Sequence, residues 1–244
     1  MLMTTLNRDE YTLATAEWSS CVSDFTAIEK LIPTNYIFEM PKEQLDWIRE
    51  NNQYKDFCTE VGIYNDKLIL IFCPLDEKGQ RKAMPAYAFS TLCPLDGTLT
   101  LQEKQEYTIV KNSVLSSDLR RVDNDESMIL PVTDRPIMSQ DKAVAAIELW
   151  RTEGMDWFYL ECTEFEGVRV FKRFYVPATD LCPDKPGLLQ IKCSFGLKYN
   201  DIYQRMLVTL IFISFYQVLE NNGSAQTISN TYDWSQPCPP ICRI

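Results

Sequence analysis

The longest stretch of the chain without a charged residue runs from Met206 to Leu219 and is strongly apolar. Its 14 residues are too few for a helix that crosses a hydrocarbon layer of ~30 Å. Three uncharged polar residues also interrupt it, namely Thr209, Ser214 and Gln217. Because this segment has no polar face that could be exposed to solvent, the rest of the fold or a partner must cover it. We predict one strongly apolar helix over residues 201–219, lying in the core.

Helical spacing of apolar residues also predicts shorter helices elsewhere. Residues 9–32 carry apolar side chains three and four positions apart, with Asn7 or Asp9 as the N-cap, which is typical of an amphipathic helix. A second helix is expected from Pro41 to about residue 52 and a third over residues 139–151.

Two antiparallel hairpins are predicted from alternating patterns and turn residues. Residues 61–72 carry two apolar runs around Asn65 and Asp66, a pair that suits a tight turn. Residues 156–176 would turn at Glu166-Gly167, which places acidic residues of one strand opposite basic residues of the other. A further strand is expected over 188–195.

These patterns together predict an α+β fold. An antiparallel sheet built from hairpins would be flanked by the N-terminal amphipathic helix and by the apolar helix near 201–219. The length of 244 residues fits a single domain over 1–244. The polar stretch 116–138 is the candidate for a boundary between subdomains.

The chain contains no histidine, and this excludes several kinds of chemistry. Imidazole general bases, Ser-His-Asp and Cys-His nucleophiles, and zinc or haem bound through histidine are all ruled out. The eight glycines do not fall in the spacing of a phosphate-binding loop. We therefore predict no catalytic, cofactor-binding or metal-binding residues.

The net charge of −10 bears on partners and location. Because an acidic surface repels phosphate backbones and anionic headgroups, nucleic acid and membranes are not expected partners. The densest basic group is Arg169, Lys172 and Arg173. The N-terminal residues lack the apolar core of a signal peptide, so a cytoplasmic location is expected.

The nine cysteines are an odd number without a framework of short spacings. In a reducing compartment they are expected to be reduced, mostly buried thiols that form no disulfide and bind no metal. One alternative is a zinc site from Cys182, Cys193, Cys238 and Cys242. Another is haem ligation by a Cys-Pro pair such as Cys73-Pro74, although a proline that ends a buried strand explains such pairs as well.

Two other groups of residues are candidate metal sites. Asp184 followed by Gln190 and Lys192 loosely resembles the magnesium-dependent nuclease pattern, but Gln190 stands where that pattern has an acid. The acidic run that begins at Asp123 offers oxygen ligands for calcium, yet it lacks the glycine of an EF-hand loop and fits a solvated loop.

These exclusions favour a non-enzymatic, cytoplasmic protein-binding or assembly protein, such as an inhibitor, an immunity-type protein or the subunit of a complex. Another protein is the expected partner, and an oligomer of the chain itself is left open. The first alternative is a histidine-free, metal-dependent hydrolase such as a nuclease. The second is a thiol-based metal or redox sensor.

Overall fold

The structure is a computed structural model of the chain. It describes residues 4–95, 99, 101, 107–111, 114–115, 121–122, 127–131, 140–178, 187–219, 225–232 and 235–242. Helices and strands are mixed along the chain, and the fold is α+β, as predicted from the sequence.

Four helices lie in the described residues: α1 (Arg8–Cys21), α2 (Phe25–Leu31), α3 (Lys42–Asn51) and α4 (Gln140–Phe165). Asn7 caps α1, because its Oδ1 accepts from the backbone N–H groups of Asp9 and Glu10. None of these helices combines the length and the apolar character needed to cross a bilayer.

The strands of the described residues are β1 (Thr5–Asn7), β2 (Tyr36–Met40), β3 (Asp56–Tyr64), β4 (Lys67–Cys73), β5 (Ala86–Pro94), β6 (Tyr107–Lys111), β7 (Val114–Leu115), β8 (Arg121–Val122), β9 (Ser127–Pro131), β10 (Arg173–Pro177), β11 (Leu188–Asn200), β12 (Arg205–Leu219), β13 (Ala225–Tyr232) and β14 (Gln236–Cys238).

One antiparallel sheet dominates the fold. Its order is β13-β12-β11-β2-β5-β4-β3-β10-β14, and β1 pairs with β5 beside this path. Strands β6 and β9 form a separate two-stranded sheet, and so do β7 and β8. The backbone N–H of Leu210 in β12 donates to the Oγ of Ser235, which lies just before β14, with 2.6 Å between nitrogen and oxygen. The sheet therefore curls until β14, at one end of the order, meets β12 near the other.

Aromatic side chains form the centre of the main core. Phe171 is fully buried, and its ring centroid lies 5.0–6.1 Å from five others: Trp18, Trp157, Phe158, Phe174 and Phe195. Trp18 Nε1 also donates to the Phe171 carbonyl at 2.9 Å. Because such pairs add to the free energy of burial, the start of β10 is firmly held.

The hairpin predicted over residues 61–72 is confirmed. Strands β3 and β4 pair in register, with Val61 opposite Leu70. Asn65 and Asp66 have φ angles of 51° and 57°, which is the left-handed conformation of a two-residue hairpin turn. Strand β11 also begins where a strand was predicted, at Leu188, and continues to Asn200.

The helix predicted over residues 201–219 is wrong. Residues 205–219 form strand β12, which pairs with β11 on one side and β13 on the other. Both faces of this strand are covered over Leu207–Tyr216, so the burial that we predicted holds although the helix does not. A strand buried on both faces is continuously apolar, and periodicity cannot distinguish it from a buried helix.

The hairpin predicted over residues 156–176 is also wrong, because α4 continues to Phe165. The expected turn residues end this helix instead, and Glu166 and Gly167 have φ angles of 51° and 71°. A Cβ at Gly167 would collide with the carbonyl oxygen of Val22, so glycine allows this turn to approach α1. Arg169 pairs with Glu161 at 2.8 Å and joins the turn to the helix.

The N-terminal helix predicted over residues 9–32 is divided into α1 and α2. Asp24 starts the second helix, since its side chain accepts from the Ala27 backbone N–H at 3.1 Å. The polar stretch 116–138 lies mostly outside the described residues, and a subdomain boundary there stays a prediction.

Candidate functional site

Glu60 is a carboxylate buried in the middle of a strand. It lies on β3 and is 5% exposed. Side chains alternate along a strand, so Glu60 shares its face with Cys58 and Gly62, opposite the face of Val61 that joins the main core. Because a buried carboxylate needs hydrogen bonds or an opposite charge, its partners determine what this face can do.

Three parts of the chain supply those partners. The Tyr11 hydroxyl of α1 donates to Glu60 Oε2, and Arg81, between β4 and β5, forms an ion pair with Oε1. Arg173 is directly opposite Glu60 in the β3-β10 ladder, and its Nε lies 3.4 Å from Oε1. One carboxylate therefore holds two guanidinium groups and a phenol together.

Local structure explains why these groups meet. Helix α1 lies close against β3 because Gly62 has no side chain, and a Cβ there would be 3.1 Å from Ala14 Cβ. Tyr11 lies three residues before Ala14 on the same side of α1 and stacks on Tyr87 with ring centroids 4.2 Å apart. A turn held by Asp76, whose Oδ1 accepts from the Gln80 backbone N–H at 2.9 Å, leads into Arg81.

Two adjoining cavities, which we call the basic cleft, open beside this cluster. The first has a volume of about 420 Å³ and is lined by residues that include Tyr11, Cys73, Arg81, Lys82, Tyr87 and Arg173. The second has a volume of about 290 Å³ and is lined by residues that include Thr12, Thr15, Glu60, Arg81, Lys172 and Arg173. Both are larger than a carboxylate needs, so the cleft has room for a side chain and part of its backbone.

The charge of the basic cleft is opposite to that of the chain. Four cationic residues line it, and Glu60 is the only acidic residue among its lining residues. The four are Arg81, Lys82, Lys172 and Arg173. On a chain with a net charge of −10, this is a local positive region, and a concave positive region concentrates anions.

Two neighbours of Glu60, the Tyr11 phenol and the Cys73 thiol, are held in their neutral forms. Burial, with the nearby Cys73 and Glu60, raises the pKa of Tyr11 far above its usual value. Burial also raises the pKa of the Cys73 thiol well above its usual range. Neither group is therefore an activated nucleophile or base at neutral pH. The arrangement can bind an anion, and these two groups give it no catalytic power.

We expect these raised pKa values to make the fold sensitive to alkali. Burial raises the pKa of Cys21 to about 11 and that of Tyr216 still higher, as it does for Tyr11 and Cys73. A folded-state pKa above the unfolded value stabilises the fold fully below the unfolded pKa, about 8.5 for cysteine and 10 for tyrosine. That stabilisation is lost as the pH rises through the folded pKa.

The free energy of unfolding in urea should therefore fall from about pH 9 upwards. No imidazole titrates in this chain, so we expect little change between about pH 6 and pH 8. A steep fall within that neutral interval, or constant stability up to about pH 11, would contradict this expectation.

The expectation that the chain forms no disulfide is wrong. Cys238 and Cys242 are joined, with Cα atoms 4.8 Å apart. The chain turns back between them, since the Ile241 backbone N–H donates to the Pro237 carbonyl at 2.9 Å. The nine cysteines show no framework of short spacings in the sequence, whereas the turn brings the Cys238 and Cys242 side chains together.

The structure does not assemble the candidate zinc site of four cysteines. Cys238 and Cys242 are used in the disulfide, Cys193 is a fully buried reduced thiol in β11, and Cys182 lies outside the described residues. Within the described part of the chain, no three Cys, Asp or Glu side chains are grouped so that they could hold a metal ion.

The structure describes only some of the other candidate residues. Lys192 on β11 forms an ion pair with Glu39 of the neighbouring β2 at 2.8 Å. Asp184 and the acidic run at Asp123 lie outside the described residues. Cys73, from the first Cys-Pro pair, forms part of the cleft wall as a buried thiol.

Sequence reasoning did not single out Tyr11, Glu60 or Arg81. A signal for Glu60 was present, because it is the one charged side chain in the largely apolar run from Phe57 to Ile63. A lone acid in a buried strand implies a cationic partner elsewhere, but it does not say which one.

Comparisons with protein family models, with curated proteins and with solved structures find no match for this chain.

Proposed function

We propose that this chain is a non-enzymatic binding protein that takes up an acidic segment of a partner protein, with a carboxylate of that segment seated in the basic cleft between Arg81 and Arg173. This role suits a cytoplasmic inhibitor or assembly subunit. The observation that carries the proposal is the convergence of two arginines on one buried glutamate, beside an open cavity, in an acidic chain.

Hydrogen-bonding capacity supports a carboxylate as the ligand. A guanidinium group has five N–H donors in a fixed plane, and a carboxylate accepts two of them side by side. Glu60 accepts from Arg81 and lies beside Arg173, so both groups keep further donors for a ligand. Lys172 is exposed at the second cavity and adds a mobile positive charge.

Preorganisation supports the same proposal. Arginine side chains lose conformational entropy when a ligand fixes them, and this loss weakens binding. Glu60 already restrains Arg81 and Arg173 before any ligand arrives. Tyr11, which donates to the same carboxylate, restrains Glu60 in turn. Such a site loses little entropy on binding an anion.

The test is calorimetric titration with three peptides of equal length. The first carries several glutamates, the second has phosphoserine in place of the central glutamate, and the third has glutamine in place of every glutamate. We expect the glutamate peptide to bind and the all-glutamine peptide not to bind. Tighter binding of the phosphoserine peptide would make a phosphorylated segment the natural ligand, since the same N–H groups can donate to a carboxylate or a phosphate.

Two variants locate the binding. Arg81→Gln should weaken the affinity for the glutamate peptide at least about tenfold, because a hydrogen bond between charged groups is lost. Arg49→Gln is the matched control, since Arg49 is an exposed arginine of α3 that pairs with Asp46 at 3.0 Å. The proposal fails if wild type binds neither anionic peptide, or if Arg81→Gln binds them as wild type does.

A further inference from the structure

The disulfide lies on the strand next to the cationic residues of the basic cleft. Cys238 of β14 is directly opposite Arg173 in the β10-β14 ladder. The backbone N–H of Lys172 donates to the Cys238 carbonyl at 2.8 Å. Two cleft cations are therefore positioned by the residue that carries one sulfur of the disulfide.

The two cysteines of the disulfide differ in exposure. Cys238 is 7% exposed and belongs to a second hydrophobic cluster, separate from the main core, with Cys58, Cys73 and Tyr175. Cys242 is exposed, beyond the turn. Thiol–disulfide exchange requires a thiolate to reach the sulfur that it attacks, so an external thiolate attacks at Cys242.

We propose that the Cys238–Cys242 disulfide is a redox switch that controls the basic cleft: an external dithiol reduces it at Cys242, and the cleft then binds its acidic ligand more weakly. The effect on the ligand rests on the function proposed above. In the cytoplasm, where we expect the chain, disulfides are mostly transient, catalytic or redox-sensing, and a reversible bond fits that pattern.

The exchange proceeds in two balanced steps. The thiolate of the dithiol attacks Cys242 Sγ, the Cys238–Cys242 bond breaks, and Cys238 Sγ leaves as a thiolate that takes up a proton. The second thiol of the reductant, as a thiolate, then attacks the reductant's first sulfur, which is bonded to Cys242 Sγ in the mixed disulfide. Cys242 is released as a thiol, and the reductant leaves as a cyclic disulfide, so two electrons have passed to the protein.

Reduction affects the cleft because β14 is a short edge strand. It has three residues and pairs with β10 alone in the ladders of the described sheet. The disulfide closes the turn that follows it, and an opened turn lets the end of β14 fray. Lys172 and Arg173 then lose part of the framework that positions them.

The first experiment locates the exchange. The Cys238→Ser and Cys242→Ser variants are incubated with glutathione disulfide, and adducts are mapped by peptide mass spectrometry. We expect Cys242 of the Cys238→Ser variant to be glutathionylated at least about tenfold faster than Cys238 of the Cys242→Ser variant, because only Cys242 is accessible. Equal rates, or faster reaction at Cys238, would overturn the assignment of the attacked sulfur.

The second experiment separates the switch from the ligand. Amide hydrogen exchange at Lys172 and affinity for the glutamate peptide are measured for the oxidised chain, the dithiol-reduced chain and the Cys238→Ser/Cys242→Ser double variant. We expect Lys172 exchange to be at least about fivefold faster, and binding at least about threefold weaker, in both disulfide-free forms.

The outcomes are distinct. Unchanged Lys172 exchange and unchanged affinity overturn the switch. If Lys172 exchange becomes faster while even the oxidised chain binds no anionic peptide, the structural coupling stands and the proposed function fails. Faster exchange with unchanged affinity overturns control of the ligand.

Discussion

Replacing Ile211 with aspartate is expected to abolish soluble folding. Ile211 is fully buried in β12, where it packs with residues that include Ala143, Ala146 and Phe215. Its Cδ1 lies over Gly196 of β11, 2.5 Å from the position that a Cβ there would occupy, so no space is left for water. Burying an unpaired carboxylate costs several kcal/mol, a large part of a typical total stability of about 5–15 kcal/mol.

Ile202→Asp is the matched control for this substitution. Ile202 lies in the turn between β11 and β12 and is 85% exposed, so the same chemical change should leave the protein soluble with nearly unchanged stability. The measurements are the soluble fraction after expression and the thermal unfolding midpoint. A soluble Ile211→Asp protein with the same thermal unfolding midpoint as wild type would show that this strand is not in the core.

The second large effect is expected at Glu60. Glu60→Gln keeps the size of the side chain but removes the charge that holds Arg81 and Arg173. Removing one partner of a buried ion pair costs about 3–5 kcal/mol, and we expect about 2–4 kcal/mol here because both arginines keep some contact with water.

Asp46→Asn is the control, since Asp46 and Arg49 form an exposed ion pair on α3. Such surface pairs contribute about 0–1 kcal/mol. Urea denaturation at neutral pH compares the free energies of unfolding of the two variants and wild type. Equal losses in both variants would mean that Glu60 is not the buried anchor of this cluster.

The accuracy of the sequence predictions depended on how local the signal was. The β3-β4 hairpin was predictable because Asn65 and Asp66 adopt their turn conformation through their own backbone preferences. The cap of α1 was predictable for the same reason, since Asn7 reaches only the next turn. Neither feature depends on what the rest of the chain does.

The largest error came from tertiary structure. Strand β12 is apolar on both faces because the curled sheet and α4 cover it, and the sequence pattern alone fits a buried helix equally well. The β-branched and aromatic residues of this segment, such as Val208, Ile213 and Phe215, were the signal that favoured a strand. The hairpin predicted around Glu166-Gly167 was wrong for a related reason, because the same turn residues occur at the end of a helix and in a hairpin.

The candidate site could not be assembled from sequence. Tyr11, Glu60 and Arg173 come from a helix and two strands that are far apart along the chain, and only the sheet order brings them together. The sequence did identify the basic group around Arg169 and Arg173. The structure divides it, since Arg169 pairs with Glu161 and Arg173 lies at Glu60.

The central claim, that an acidic group binds between Arg81 and Arg173, is tested most directly by nuclear magnetic resonance of the arginine Nε–Hε groups. The glutamate peptide is titrated into the oxidised chain, and each arginine signal is followed. We predict that the Arg81 and Arg173 signals shift together to saturation with one dissociation constant, while the Arg49 signal stays unchanged. Stationary Arg81 and Arg173 signals in the presence of bound peptide, or equal shifts at all three arginines, would contradict the claim.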